Sequence, residues 1–292
     1  MTTAKEYIGI QNYHELTGEE VTFLHTGINK FDSFYSIKGG IGWGTMNYVT
    51  GSSGAGKTTM MVNLMKWLAP TKVSMYLREM EGRSVKSQTK NIDIPKGSAY
   101  IADIKDCPTF EDYLIELDAL KPGVVMVDSL QVVAKEDYKA KGIMGEDDAC
   151  YYIQKKLREW CSENDAILFL IGHNTKEGEF AGKNTIIQMM DAHIVMEHDK
   201  KNACRKISWG AKNRKGPMGM LYYDFGKKEI EFFTEEEWEA KAGARNYFST
   251  MLKASEAYYA TIDKSSVNYK EFAKEYKTFL GEIDSIEDDA LY

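Results

Sequence analysis

The run Gly51, Ser52, Ser53, Gly54, Ala55, Gly56, Lys57, Thr58 constrains this chain more than any other stretch, because nearly every residue type in it has a physical role. Gly51, Gly54 and Gly56 let the backbone curl until successive N–H groups face one anionic centre, at the start of a helix whose dipole also favours negative charge. Lys57 can then reach the β- and γ-phosphates, and the Thr58 hydroxyl can ligate Mg²⁺. Thr59 is counted with the same cradle. The flanks agree: residues 45–50 suit a short buried strand, and 58–68 carry Met61, Leu64, Met65 and Leu68 at helical spacing. Strand, loop and helix arrive in the order a phosphate loop requires, which predicts binding of ATP or GTP.

Residues 123–128, Gly-Val-Val-Met-Val-Asp, form an apolar run ending in a carboxylate, as expected of a central parallel strand. Asp128, at its carboxyl end, is placed to hold Mg²⁺ directly or through water. A buried strand-end Asp can instead cap the next turn; the upstream phosphate loop favours the metal role. Further strands are expected at 72–77, 166–171, 193–197, 205–211, 220–225 and 229–233, and helices at 82–91, 109–120 and 147–161. Early strands alternate with helices and later ones follow one another as hairpins. That order predicts an α/β fold, a mostly parallel central sheet extended by antiparallel strands. Residues 135–146 and 176–184 lack periodicity and read as mobile loops at the sheet's carboxyl edge, where such folds bind ligands.

With 292 residues, 43% of them hydrophobic, one large domain plus an appendage is expected. The divisions fall at an N-terminal segment 1–25, an ATPase core 26–233, a helical appendage 234–281 and an acidic tail 282–292. No apolar run approaches the ~20 residues that cross a bilayer, and the start lacks a signal-peptide core, so a cytoplasmic location is expected. Cys107, Cys150, Cys161 and Cys204 are scattered without a Cys-x-x-Cys pair and read as reduced, mostly buried small hydrophobes. The net charge of −7 is polarised: residues 234–292 hold thirteen acids and seven bases, whereas 200–228 hold nine bases and one acid. This fits a basic track with an acidic tail, and equally a lysine-rich solvated hairpin.

Five ordered motifs, the phosphate loop among them, resemble the RadA/Sms branch of bacterial RecA-like ATPases, which is related to hexameric helicases such as DnaB. His25-Thr-Gly-Ile-Asn-Lys-Phe-Asp32 with Gly39-Gly-Ile-Gly-Trp-Gly44 is similar to the family's lead-in to the phosphate loop. Val127-Asp-Ser-Leu-Gln131 resembles its Walker B strand. Ile171-Gly-His-Asn-Thr-Lys-Glu-Gly178 resembles its Gly-His-Val-Thr-Lys-Glu-Gly block, with Asn174 in place of Val. Lys212-Asn-Arg-Lys-Gly216 resembles Lys-Asn-Arg-Phe-Gly, with Lys215 in place of Phe. The family's zinc element and Lon-like domain have no counterpart in these residues, and a core-only form resembles phage-encoded relatives.

The resemblance implies roles. Hydrolysis needs a carboxylate that activates water: Glu79 fits the helicase register, Glu81 the RadA register, and Glu79 is preferred. His173 resembles a sensor of nucleotide state. Lys212 and Arg214 look like fingers reaching a neighbouring subunit's ATP site, with phosphate contacts to DNA as the alternative. Lys139, Lys141, Lys176 and Lys183 lie in the loops that line the DNA path in RecA-like proteins, implying single-stranded DNA binding with little sequence preference. The implied whole is a homo-hexameric ATP- and Mg²⁺-dependent DNA motor of recombination or repair, with a protein partner for the acidic tail. A replicative helicase and a nucleotide-switched mediator or scaffold are the competing expectations.

Overall fold

In a computed structural model, which describes residues 21–172, 184–199, 204–226, 230–243 and 253, the chain opens with β1 (Phe23–Leu24), α1 (Asn29–Tyr35) and β2 (Ile41–Gly42). The phosphate-loop unit follows as β3 (Met46–Gly51) and α2 (Lys57–Trp67), then β4 (Val73–Leu77), α3 (Gly82–Gln88), β5 (Ala99–Ala102) and α4 (Phe110–Leu120). Next come β6 (Val124–Asp128), α5 (Leu130–Val133), a π-helix (Ala134–Lys139), α6 (Glu146–Glu163) and β7 (Ile167–Ile171). The remainder is α7 (Asn184–Met189), β8 (Ala192–Asp199), β9 (Cys204–Asn213), β10 (Met220–Phe225), β11 (Ile230–Phe233) and a helix over 235–243.

Every residue of β6 is buried, and its side chains alternate between two cores: Val124 and Met126 enter one, Val125 and Val127 the other. A strand desolvated on both faces needs helices on both. Met60, Met61, Leu64 and Met65 of α2 fill one side; Phe110 and Leu117 of α4 with Ile153 and Leu157 of α6 fill the other. The capping box of α4, in which Thr109 and Asp112 bond each other's backbone N–H, fixes where that helix starts.

The nine-stranded sheet has the order β11-β10-β9-β8-β3-β7-β6-β4-β5. β3 sits between β7 and β8 with parallel pairing to both, and β9, β10 and β11 add antiparallel strands outside β8. The expected architecture is therefore present, with ends displaced by a few residues. Strands at 23–24, 41–42 and 99–102 and helix α1 carried too weak a pattern to be expected. The lead-in motif anchors the chain locally. Buried Asp32 accepts from Thr26 N and Oγ1 at 2.9 and 2.8 Å and from Gly27 N at 3.2 Å, tying down the loop before α1.

One expectation is corrected. Residues 135–146 are not wholly a mobile loop, because 134–139 form the π-helix with Ala134, Asp137 and Tyr138 buried. Buried polar groups at non-helical spacing hid it. The second expected loop, 176–184, lies almost entirely outside the described residues, as does most of the expected helical appendage and the acidic tail.

Gly51 faces Met196 across the β3–β8 ladder with a φ of 149°, and a Cβ there would stand 1.9 Å from the Met196 carbonyl oxygen. Gly51→Ala must push two central strands apart. We expect a loss of about 3 kcal/mol, the upper range for forced overpacking, read as a lowered urea midpoint; an unchanged midpoint would contradict this register.

Candidate phosphate-binding site

The register of β3 delivers the loop 51–56 to the carboxyl edge of the sheet, where α2 begins at Lys57. Gly56 takes a φ of 92°, and a Cβ on it would meet the Phe225 ring at 2.3 Å, so only glycine lets the loop pass beneath that ring. The Tyr223 hydroxyl donates to the Ala55 carbonyl at 2.5 Å. Tyr223 and Phe225, two apart on β10, thus brace the loop from one face. Sequence reasoning missed both; their spacing with Leu221 marked a buried strand face but gave no hint of what it covers.

Lys57 is 8% exposed and donates through Nζ to the carbonyls of Gly51 at 2.9 Å and Ser52 at 3.1 Å. Burial lowers its pKa, opposed by the nearby charges of Asp128 and Glu79. The Thr58 hydroxyl donates to Asp128 Oδ2 at 2.6 Å, joining the loop to the end of β6 across seventy residues of sequence. Asp128 is 1% exposed and precedes a cis peptide to Ser129. A hydroxyl and a carboxylate at this distance can share one hard cation. Inward-facing lysine, glycine-dependent curvature and the Thr58–Asp128 pair fit a nucleotide polyphosphate with Mg²⁺.

Glu79 and Glu81 follow β4 and part company. The Glu79 charge is felt by Lys57, and its amide bonds the Asp128 carbonyl at 3.4 Å. Glu81 stands at the N-cap position of α3 without a side-chain cap, and its carboxylate pairs with Lys105 at 3.2 Å. The structure therefore brings together Lys57, Thr58, Asp128 and Glu79.

Lys212 and Arg214 stand elsewhere. Lys212 Nζ donates to the Gln188 carbonyl at 2.8 Å, and Arg214, half exposed, pairs with Asp191 at 3.1 Å. Asp191 bonds Met46 at the amino end of β3, whereas the phosphate loop leaves its carboxyl end. Five residue-to-residue steps of strand put about 16 Å between those ends, so neither cation serves its own chain's loop. Lys139 pairs with Glu146 at 2.8 Å on the exposed side of the π-helix, and Lys141 is exposed beside it. His173, Lys176 and Lys183 lie outside the described residues. The basic stretch is partly neutralised: Lys206 pairs with Glu197 at 3.0 Å and Arg205 with Asp224 at 3.8 Å.

His193 carried no expectation from the sequence beyond a place at the start of a strand. It sits below the loop, its Nε2 bonded to Thr50 Oγ1 at 2.9 Å and its Nδ1 accepting from the Ala211 N–H at 3.3 Å. An accepting Nδ1 puts the proton on Nε2 of a neutral ring. Burial lowers the His193 pKa from 6.5, so below that pH the unfolded chain takes up a proton before the folded one does. This contribution to stability is complete above pH 6.5 and is lost as pH falls toward the depressed folded value. We expect wild type to lose more stability than His193→Gln between about pH 7 and pH 5, measured by urea denaturation; parallel pH profiles would refute the neutral-ring assignment.

Similarity to known proteins agrees with this geometry. No family model matches the chain. It is similar to the DNA repair protein RadA of Mycobacterium tuberculosis, at 26% identity over 195 residues, 65% of this chain and 39% of that protein. RadA of Haemophilus influenzae matches at 25% over 76% of this chain and 48% of its own length; RadA of Listeria monocytogenes matches at 28% over 71% and 46%. The chain thus spans less than half the length of these relatives. Among solved structures, a KaiC-like protein from Pyrococcus horikoshii superposes with a TM-score of 0.60 at 19% identity, over 73% of this chain and all of that one. The chain is thus similar to RadA proteins over about two thirds to three quarters of its length and shares its fold with a KaiC-like protein.

Proposed function

We propose that this chain is an ATP-driven motor that binds single-stranded DNA and acts in recombination or repair. The observation that supports it most is the convergence of Lys57, Thr58, Asp128 and Glu79 on one loop, in a chain similar to DNA repair proteins. In this reading the amides of Ser52, Ser53, Gly54, Ala55 and Gly56 hold the phosphates, with Lys57, Thr58 and Thr59 at the helix start. Thr58 and Asp128 hold Mg²⁺. Mg²⁺-ATP, when bound, supplies the transferable phosphoryl group and the developing charge that the protein must offset.

Glu79 orients a water and accepts its proton. Arg214 and Lys212, remote from their own loop, act on a neighbouring copy, which makes the working form a closed ring of identical subunits, six by the relationship to hexameric helicases. His173 senses nucleotide state. Lys139, Lys141, Lys176 and Lys183 contact the DNA backbone, giving affinity without sequence reading. The acidic tail serves a replication or recombination protein.

Lys57→Ala should abolish ATP binding and turnover. Glu79→Gln should retain nucleotide and lose about 10²-fold or more in kcat, the usual range for a general base, while Glu81→Gln stays near wild type. The reverse outcome transfers the role to Glu81. ATP hydrolysis should rise on adding single-stranded DNA. A rate indifferent to DNA favours a nucleotide-switched mediator or scaffold instead, and directional unwinding of forked duplex alone favours a DnaB-like helicase.

A further inference from the structure

Arg78 immediately precedes Glu79 where β4 ends, yet its side chain turns inward. The guanidinium is 3% exposed and ion-pairs through Nη2 with Asp137 of the π-helix, itself 1% exposed. It lies 5.6 Å from the centre of the Tyr76 ring, and the Tyr76 hydroxyl donates to the other Asp137 oxygen at 3.3 Å. Glu136 approaches Nε at 3.7 Å, and Nη1 has no hydrogen-bond partner among the described residues. Burial pushes the Asp137 carboxyl up, and the Arg78 charge opposes that. Tyr76 belongs to one main core, but phosphate binding has no use for the Arg78–Asp137 pair.

Each end of the pair leads somewhere. The amides of Arg78 and Glu79 both bond the Asp128 carbonyl, at 2.9 and 3.4 Å, so β4's end and β6's end move as one piece. On the other side, wide i+5 turns close from Ala140 N to the Lys135 carbonyl at 2.8 Å and from Ile143 N to the Tyr138 carbonyl at 2.9 Å. Those turns put Asp137 and Tyr138 inside and leave Lys139 and Lys141 outside. Insertions of this kind in helices recur at functional sites. An ion pair away from water cannot slip without leaving a buried charge, so displacement of the π-helix is passed to β4.

We propose that the Arg78–Asp137 pair is a positioning link that carries engagement of DNA at the Lys139–Lys141 surface to the carboxylate of Glu79. The inference rests on the DNA-stimulated reading above. Arg78 and Asp137 act through Glu79 and touch no reacting atom. Were the pair only a structural brace, its loss would lower stability and all rates together.

The test compares ATP hydrolysis with saturating single-stranded DNA and without it, in the full chain and in R78Q, R78K and D137N. R78Q and D137N should lower the ratio of stimulated to basal rate about fivefold or more, the lower bound for coupling between two sites. Affinity for a fluorescent ATP analogue should hold, and R78K should recover part of the ratio. In an E79Q background, R78Q should lower the stimulated rate no further, because the link then has nothing to position. If R78Q fails to fold, R78K and D137N read the same ratio. A stimulated wild type whose folded variants keep the full ratio overturns this link alone; a wild type that DNA does not stimulate overturns both this and the motor.

Discussion

The Thr58–Asp128 hydrogen bond is the contact on which the architecture turns. It requires α2 to start where β6 ends, and that in turn requires β3, β7 and β6 to lie side by side with a common direction. A polar pair this close is stable only if its surroundings hold it, and here both core layers do so. Apolar residues of β6 point alternately into the two, so the carboxylate at its end cannot rotate away without disturbing both. Sheet topology and site chemistry are one constraint seen at two scales.

What was legible in the sequence follows from range. The glycine cradle, Lys57 and Thr58 are contiguous, and Asp128 ends a run whose apolar character gives its depth away. The choice between Glu79 and Glu81 was open because two residues separate them, while their environments are decided by Asp128 and by Lys105 on other segments. Tyr223 against Ala55 spans 168 residues, and Arg78 against Asp137 spans 59. Nothing in local spacing can announce a partner at that distance. The π-helix was misread for a related reason: its inward aspartate looks like surface unless the arginine that neutralises it is known.

Charge follows the same logic. A count along the chain finds a strongly basic stretch, yet Glu197 and Asp191 from β8 and its approach and Asp224 from β10 stand beside Lys206, Arg214 and Arg205. Linear tallies overstate a field when antiparallel pairing brings the opposite sign alongside. Arg214, half in solvent, lies at the end of the sheet remote from the cradle.

β9 joins those two ends. Near its start Arg205 lies over the Phe225 ring that roofs Gly56; past its finish come Arg214 and its partner Asp191. Its ladder to β8 is interrupted by an irregularity between Ala192 and Ile194, and its ladder to β10 holds only Lys206 to Ser208, so the strand bends between its two ends. One strand thus carries a cation to the roof of the cradle and, beyond the bend, leads to another at the opposite edge of the sheet.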